Sequence, residues 1–264
     1  MVAPSQTEEA TGQRSGPITD LALTLPIFVG YHLGVIFLPV RNAADVVTQK
    51  LQLVANHSLP AYCALTLAIG AAYVTPLLLA GRGRHLQASR FAWMGTEGVV
   101  YAVLMRLIAG YAVARLVLAL GAVDMGMIGL MNAAPALSSV TEQLSEASGV
   151  AERLAGAVMS LGAGFYEEAV FRVGLYGVGA AVVLFLFNIT RAAQKFVVRL
   201  IWAVTAACVF SAWHYVGDLS EAFDLTTFSF RALCGLVFTL IYEFRGFAPA
   251  VWTHALYDLW VLSF

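Results

Sequence analysis

The sequence predicts an all-α fold, a polytopic transmembrane helical bundle of seven to eight spans, and three observations carry that expectation. Of 264 residues, 60% belong to the set AVILMFWYC and only 12% are Asp, Glu, Lys or Arg, against about 25% charged in an ordinary soluble domain. Mean hydropathy is +0.79. The apolar residues fall in continuous runs close to the roughly 20 that a helix needs to cross a hydrocarbon core. No period-two alternation separated by turns runs through them, which sets aside a membrane barrel, and a helix satisfies its own backbone in lipid. The formal net charge of -1 points away from nucleic acid and toward the bilayer itself as the bulk partner.

Taken in order, residues 1–18 read as a polar tail with Pro4, Gly12 and Gly16, without the basic start and cleavage site of a signal peptide. Apolar runs follow at 19–40, 58–80 and 98–121, then at 196–216, 226–244 and 247–263. We divide the chain into the tail, N-terminal membrane helices over 19–150 and a catalytic membrane unit over 151–264. The stretch 151–188 is apolar but carries Glu167, Glu168 and Arg172. As one helix it would reach about 57 Å, nearly twice the hydrocarbon thickness of about 30 Å, so it is expected to bend, break or become two helices. Segment 122–150 is rich in Met, Gly and Ser and amphipathic at best. Cys63, Cys208 and Cys234 have no metal-ligand or CxxC spacing and read as small buried hydrophobes.

Loop charges suggest a topology. Arg82, Arg84 and Arg90 lie in 81–96, and Arg191, Lys195 and Arg199 in 188–199; the positive-inside rule puts both segments in the cytoplasm and implies an odd number of crossings through 151–188. Arg41 and Lys50 fall on the disfavoured side. The acidic segments, with Asp124, Glu142 and Glu146 and with Asp218, Glu221 and Asp224, go outside. The chain is read as a multi-pass protein of a prokaryotic plasma membrane.

In such a chain a charge at membrane depth is costly and marks either a partnered structural site or a functional one. Arg106 and Arg115 fall on opposite faces of the third run, the first expected to pair with an acid or a carbonyl and the second to snorkel. Gly30 and Gly34 make a GxxxG step, read as a helix-packing device. The C-terminal half is richer. Glu168 and Arg172 stand at i,i+4 in the favoured ion-pair order, while Glu167 is rotated away and left to act. His214 follows Phe210 at i+4, and His254 and Asp258 share one helix face. Each fragment alone also suits plain helix stitching. Together, a carboxylate and imidazoles converging in an apolar core suit activation of water for acyl hydrolysis, with Glu167 and His214 acting on the water and His254 and Asp258 holding the oxyanion.

At these residues the chain resembles the CPBP family of intramembrane proteases, the group of type II CAAX prenyl proteases and of bacteriocin-processing and immunity-associated proteins. Its ordered pattern EExxxR, FxxxH and HxxxN/D is met by Glu167 to Arg172, Phe210 to His214 and His254 to Asp258. The N-terminal helices match only as generic spans. The resemblance implies an endopeptidase cutting a protein near its C-terminus or in a membrane-proximal segment, with Glu167 and His214 activating water, His254 and Asp258 supporting the oxyanion, and Glu168, Arg172 and Phe210 in support. Asp258 stands where Asn is more frequent, and an ionised carboxylate donates no hydrogen bond, so it would orient His254 instead. Val173 separates Arg172 from Gly174, where many members have Gly directly.

The leading reading requires no cofactor. A zinc-dependent form would place the metal among Glu167, His214, His254 and Asp258, whose imidazoles and carboxylates are acceptable ligands. A transporter or proton relay could use the same groups, but it predicts paired broken helices in two repeated halves, and the sequence has no visible repeat. A scaffold without activity would keep the motifs for packing alone. His214 adjoins the acidic segment that the charge rule puts outside, whereas a cytoplasmic prenyl-protein substrate would need the opposite opening.

Overall fold

A computed structural model describes residues 16–38, 58–80, 88–119, 149–216 and 221–263. Most of the polar tail, most of segment 122–150, and Arg41, Lys50, Arg82, Arg84 and Asp218 lie outside the described residues. Within them are seven helices, six of which are long and apolar enough to cross a membrane. They are α1 (Pro17–Phe37), α2 (Leu59–Ala80), α3 (Ala88–Ala119), α4 (Gly149–Leu186), α5 (Ala192–Trp213), α6 (Leu225–Arg245) and α7 (Phe247–Ser263). No strand occurs among the described residues. The 17 residues of α7 make it the shortest, and it is the helix the others surround: α1, α3, α4 and α6 all pack on it.

The packing is that of a protein whose outer solvent is apolar. Leu67, Phe185 and Phe196 point outward, while Glu168, Arg172, Ser211, Thr253 and His254 are interior. In lipid there is no gain from turning apolar side chains inward, so close backbone approach and polar contacts hold the helices together. The buried positions of α3, Met94, Gly98, Ala102, Met105, Ala109 and Val113, recur every three or four residues and form one narrow face of small and flexible side chains. Gly30 and Gly34 act as read: a Cβ on Gly34 would run into Val158 of α4, and one on Gly30 would come within 3.0 Å of Leu161 Cδ1. Gly164 serves α4 and α7 likewise, since its Cβ would lie 2.6 Å from Ala255 Cβ.

The long apolar stretch at 151–188 resolves as one continuous helix rather than two. Its middle is wound in wide π-helical turns over Ala163–Glu167 and Ala169–Val178, a distortion that recurs at functional sites because it re-aims side chains without ending the helix. Arg106 stands over the Trp260 ring at 4.9 Å, and Arg115 is exposed. Of the cysteines only Cys234 is buried, Cys208 being exposed; a thiol facing lipid is as well placed as one inside, because its surroundings are apolar either way.

Two corners fix the helix ends. Asp224 caps α6 by accepting the Thr227 N–H at 2.7 Å. Between α6 and α7, Gly246 has φ 107, a left-handed value that glycine tolerates best. The following Phe247 N–H is accepted by Asp20 of α1 at 2.8 Å, so a carboxylate from a distant helix caps the N-terminus of α7. Glu97 on α3 takes Arg245 at the end of α6 bidentately, at 2.7 and 3.1 Å, and Arg199 near the start of α5 pairs with Glu243 of α6. These pairs bring the early part of α3, the start of α5 and the end of α6 to one end of the bundle.

Candidate active site

The candidate site residues of the C-terminal half gather around one buried cluster, with His214 at its edge against Phe210. Glu167, Glu168 and Arg172 come from the widened middle of α4, His254 and Asp258 from one face of α7, Phe210 from the last turn of α5, and His214 from the position just beyond that helix. Glu167, Glu168, Arg172 and His254 are 5%, 0%, 1% and 4% exposed, which matters because charges so placed persist only when paired.

His254 is the centre. Its Nδ1 donates to Glu168 Oε1 at 2.7 Å. Its Nε2 lies 3.4 Å from Asp258 Oδ2 and 3.8 Å from Glu167 Oε2. Three carboxylates thus face one imidazole, and the adjacent glutamates take opposite nitrogens of it. The other oxygen of Glu168 faces Arg172 Nε at 3.2 Å. The expected Glu168–Arg172 pair is present, and it continues into His254, a link that i,i+4 spacing on one helix could not reveal.

Aromatic rings fix the charged groups in place. The Arg172 guanidinium stands over Phe210 at 4.4 Å and over Phe238 at 5.0 Å, with Nη2 reaching the Gly235 carbonyl at 3.3 Å. His254 stacks on Phe238, with 4.4 Å between centroids and 18° between planes. Phe210 also meets His214 and His254 edge-on, at 5.3 and 6.0 Å. Its place in the FxxxH spacing is therefore physical: one ring touches both histidines and the arginine. Such contacts are worth about 0.5–1.5 kcal/mol each beyond area burial.

His214 is half-buried and anchored along its own helix, its Nδ1 donating to the Phe210 carbonyl at 3.0 Å. That bond assigns the proton to Nδ1 in the neutral ring and leaves Nε2 as the basic nitrogen. The Glu167 carboxylate is close enough to act on it electrostatically.

Although imidazole and carboxylate are suitable zinc donors, no three His, Cys, Asp or Glu side chains among the described residues are arranged to hold a metal ion.

Residues 150–260 match the family model described as type II CAAX prenyl endopeptidase, Rce1-like. That part of the chain is similar to the family's domain. All three motifs fall inside the match, and α1, α2 and α3 lie outside it. The six long apolar helices make the chain a multi-pass integral membrane protein, and its C-terminal part is the part similar to an endopeptidase family. No curated protein and no solved structure matches the chain.

The sequence reading gave no role to several residues around the Rce1-like site. Asp20 caps α7 from α1. His32 of α1 bonds the hydroxyl of Tyr166, the neighbour of Glu167, at 2.7 Å. Arg231 of α6 pairs with Glu221 beside His214. Arg231 carried a signal, being a charge inside the run 226–244. Asp20 and His32 were equally visible as polar residues in an apolar run, but their partners are more than a hundred positions away.

Proposed function

We propose that the chain is an intramembrane endopeptidase that hydrolyses a peptide bond near the C-terminus, or in a membrane-proximal segment, of a CAAX-type or sorting-signal protein substrate. The observation that carries this reading is the convergence of Glu167, Glu168 and Asp258 on His254 in a buried interior, inside an Rce1-like domain.

In this reading Glu167 is the general base. It takes a proton from water, with His214 Nε2 as the second acceptor that orients the water, and the oxygen attacks the scissile carbonyl. His254 donates from both nitrogens, Nδ1–H to Glu168 and Nε2–H, which faces Asp258 in the resting site, to the developing oxyanion as it forms. Glu168 and Arg172 form a fixed charged support behind His254, so little reorganisation accompanies the change in charge. Collapse of the tetrahedral intermediate expels the amine, which recovers the proton from Glu167. Because the neutral His214 ring already has its Nδ1 proton engaged by the Phe210 carbonyl, only one nitrogen is presented to the water.

The test uses the full chain in lipid nanodiscs with a prenylated peptide ending in a CAAX box. We expect cleavage by the wild type, loss in Glu167→Gln, and no loss on chelation. Stoichiometric zinc that leaves together with activity would replace the metal-free mechanism. Full cleavage by Glu167→Gln would remove Glu167 as the base. Comparing protein termini in cells with and without the gene product identifies the natural substrate.

A further inference from the structure

Arg231 enters an apolar helix and is only 7% exposed. Its Nη2 donates to both oxygens of Glu221, at 2.8 and 2.7 Å, and its guanidinium stands 5.6 Å from the Tyr215 ring centre. Its Nη1 is buried without a hydrogen-bond partner. A desolvated cationic donor of this kind is costly to leave unbonded, and none of the catalytic roles above uses it.

Short contacts place the Glu221–Arg231 pair beside His214. The Glu221 N–H donates to the carbonyl of His214 at 3.1 Å. Ser211 Oγ donates to the Phe228 carbonyl at 2.7 Å, clamping the end of α5 to the first turn of α6. Arg231 therefore sits one side chain away from the histidine proposed to act on water, and both it and Glu167 influence that imidazole electrostatically.

We infer that Arg231 receives the C-terminal carboxylate of the peptide substrate, with Nη1 as the donor; the inference rests on the endopeptidase reading above. The site otherwise presents Glu167, Glu168 and Asp258, which repel an anionic chain end. Arg172 is committed to Glu168 and stands over two phenyl rings. Arg231 keeps its charge compensated by Glu221 when the site is empty of substrate, and a guanidinium can serve two carboxylates at once through different nitrogens. A CAAX box is by definition the end of a chain, so a receptor for the terminal carboxylate beside the catalytic histidine would measure the cut from that end.

The experiment compares two peptides of identical sequence, one with a free C-terminal acid and one with a C-terminal amide, cleaved by the full chain in nanodiscs. We expect kcat/KM to favour the acid by about tenfold or more, the worth of one charge-assisted hydrogen bond, chiefly through KM. In Arg231→Gln this preference should collapse toward unity. The double variant Arg231→Gln with Glu221→Gln, which leaves no orphaned carboxylate, should behave the same way and guards against misfolding. Equal cleavage of both peptides by the wild type, or a preference that survives in the double variant, overturns the carboxylate site and leaves the protease standing. Cleavage of neither peptide overturns the protease reading and this inference with it.

Discussion

His254 on α7 and Glu168 on α4 are joined by a 2.7 Å hydrogen bond from Nδ1 to Oε1, and the other oxygen of Glu168 faces Arg172. A histidine whose far nitrogen is fixed by a buried carboxylate presents its near nitrogen in one orientation. In the proposed mechanism Glu168 is thereby a positioning residue, and its loss should affect stability and catalysis together. Glu168→Gln leaves Arg172 without its charge partner, and breaking a buried pair in this way costs about 3–5 kcal/mol. Thermal unfolding in detergent should show the drop. The double variant Glu168→Gln with Arg172→Met should recover much of the stability and little of the activity. Recovery of both would mean that Glu168 only neutralises Arg172.

Glu167 should separate cleanly from its neighbour. Glu167→Gln is nearly isosteric and keeps its packing, so the melting temperature should barely move while kcat falls by roughly 10²–10⁴, the range for a general base. A comparable loss in melting temperature would instead make Glu167 a structural group.

Asp258 holds His254 Nε2 from one turn away at 3.4 Å. Asp258→Asn retains an acceptor oxygen, so activity should stay within about tenfold, whereas Asp258→Ala should fall further, with the loss in kcat rather than KM. If Asn and Ala were equally impaired, the carboxylate charge and not the hydrogen bond would be what matters.

The cap on α7 comes from outside the matched domain. Asp20→Ala removes the acceptor of the Phe247 N–H and should cost about 1 kcal/mol, with Asp20→Asn milder. Gly164→Val, which would crowd Ala255 next to His254, should cost about 1–3 kcal/mol by overpacking. Unchanged melting of both variants would show that the helices of the N-terminal half and the matched domain do not depend on these contacts.

Lys195 near the start of α5 and Phe223 just before α6 flank opposite ends of α5, and both are exposed. With Cys63, Cys208 and Cys234 replaced, the charge rule expects Lys195→Cys to label only from the cytoplasmic face and Phe223→Cys only from the other, an opening that suits a sorting-signal substrate outside the cytoplasm and not a cytoplasmic prenyl-protein. The reverse pattern would invert the topology and turn the Glu221 end of the bundle, where Arg231 and His214 meet, toward the cytoplasm.

The sequence by itself determined the solvent and singled out the candidate residues. Scarce charge and continuous apolar runs require helices in lipid; Glu167, Glu168, Arg172, His214, His254 and Asp258 could be chosen because charged and polar groups at membrane depth are too costly to be incidental, and Phe210 by its spacing from His214. Local spacing also carried the Glu168–Arg172 and His254–Asp258 pairs, since i,i+4 neighbours share a helix face whatever the fold. Tertiary structure decided everything that depends on one helix meeting another. That Glu167 and Glu168 take opposite nitrogens of a single histidine depends on how wide π-helical turns re-aim adjacent side chains. That Phe238 stacks on His254, that Asp20 caps α7 and that Arg231 stands beside His214 depend on which helices become neighbours. Hydrophobic runs leave that choice open, because in lipid any apolar face is soluble, and only close fit at positions such as Gly34 and Gly164 selects the partner.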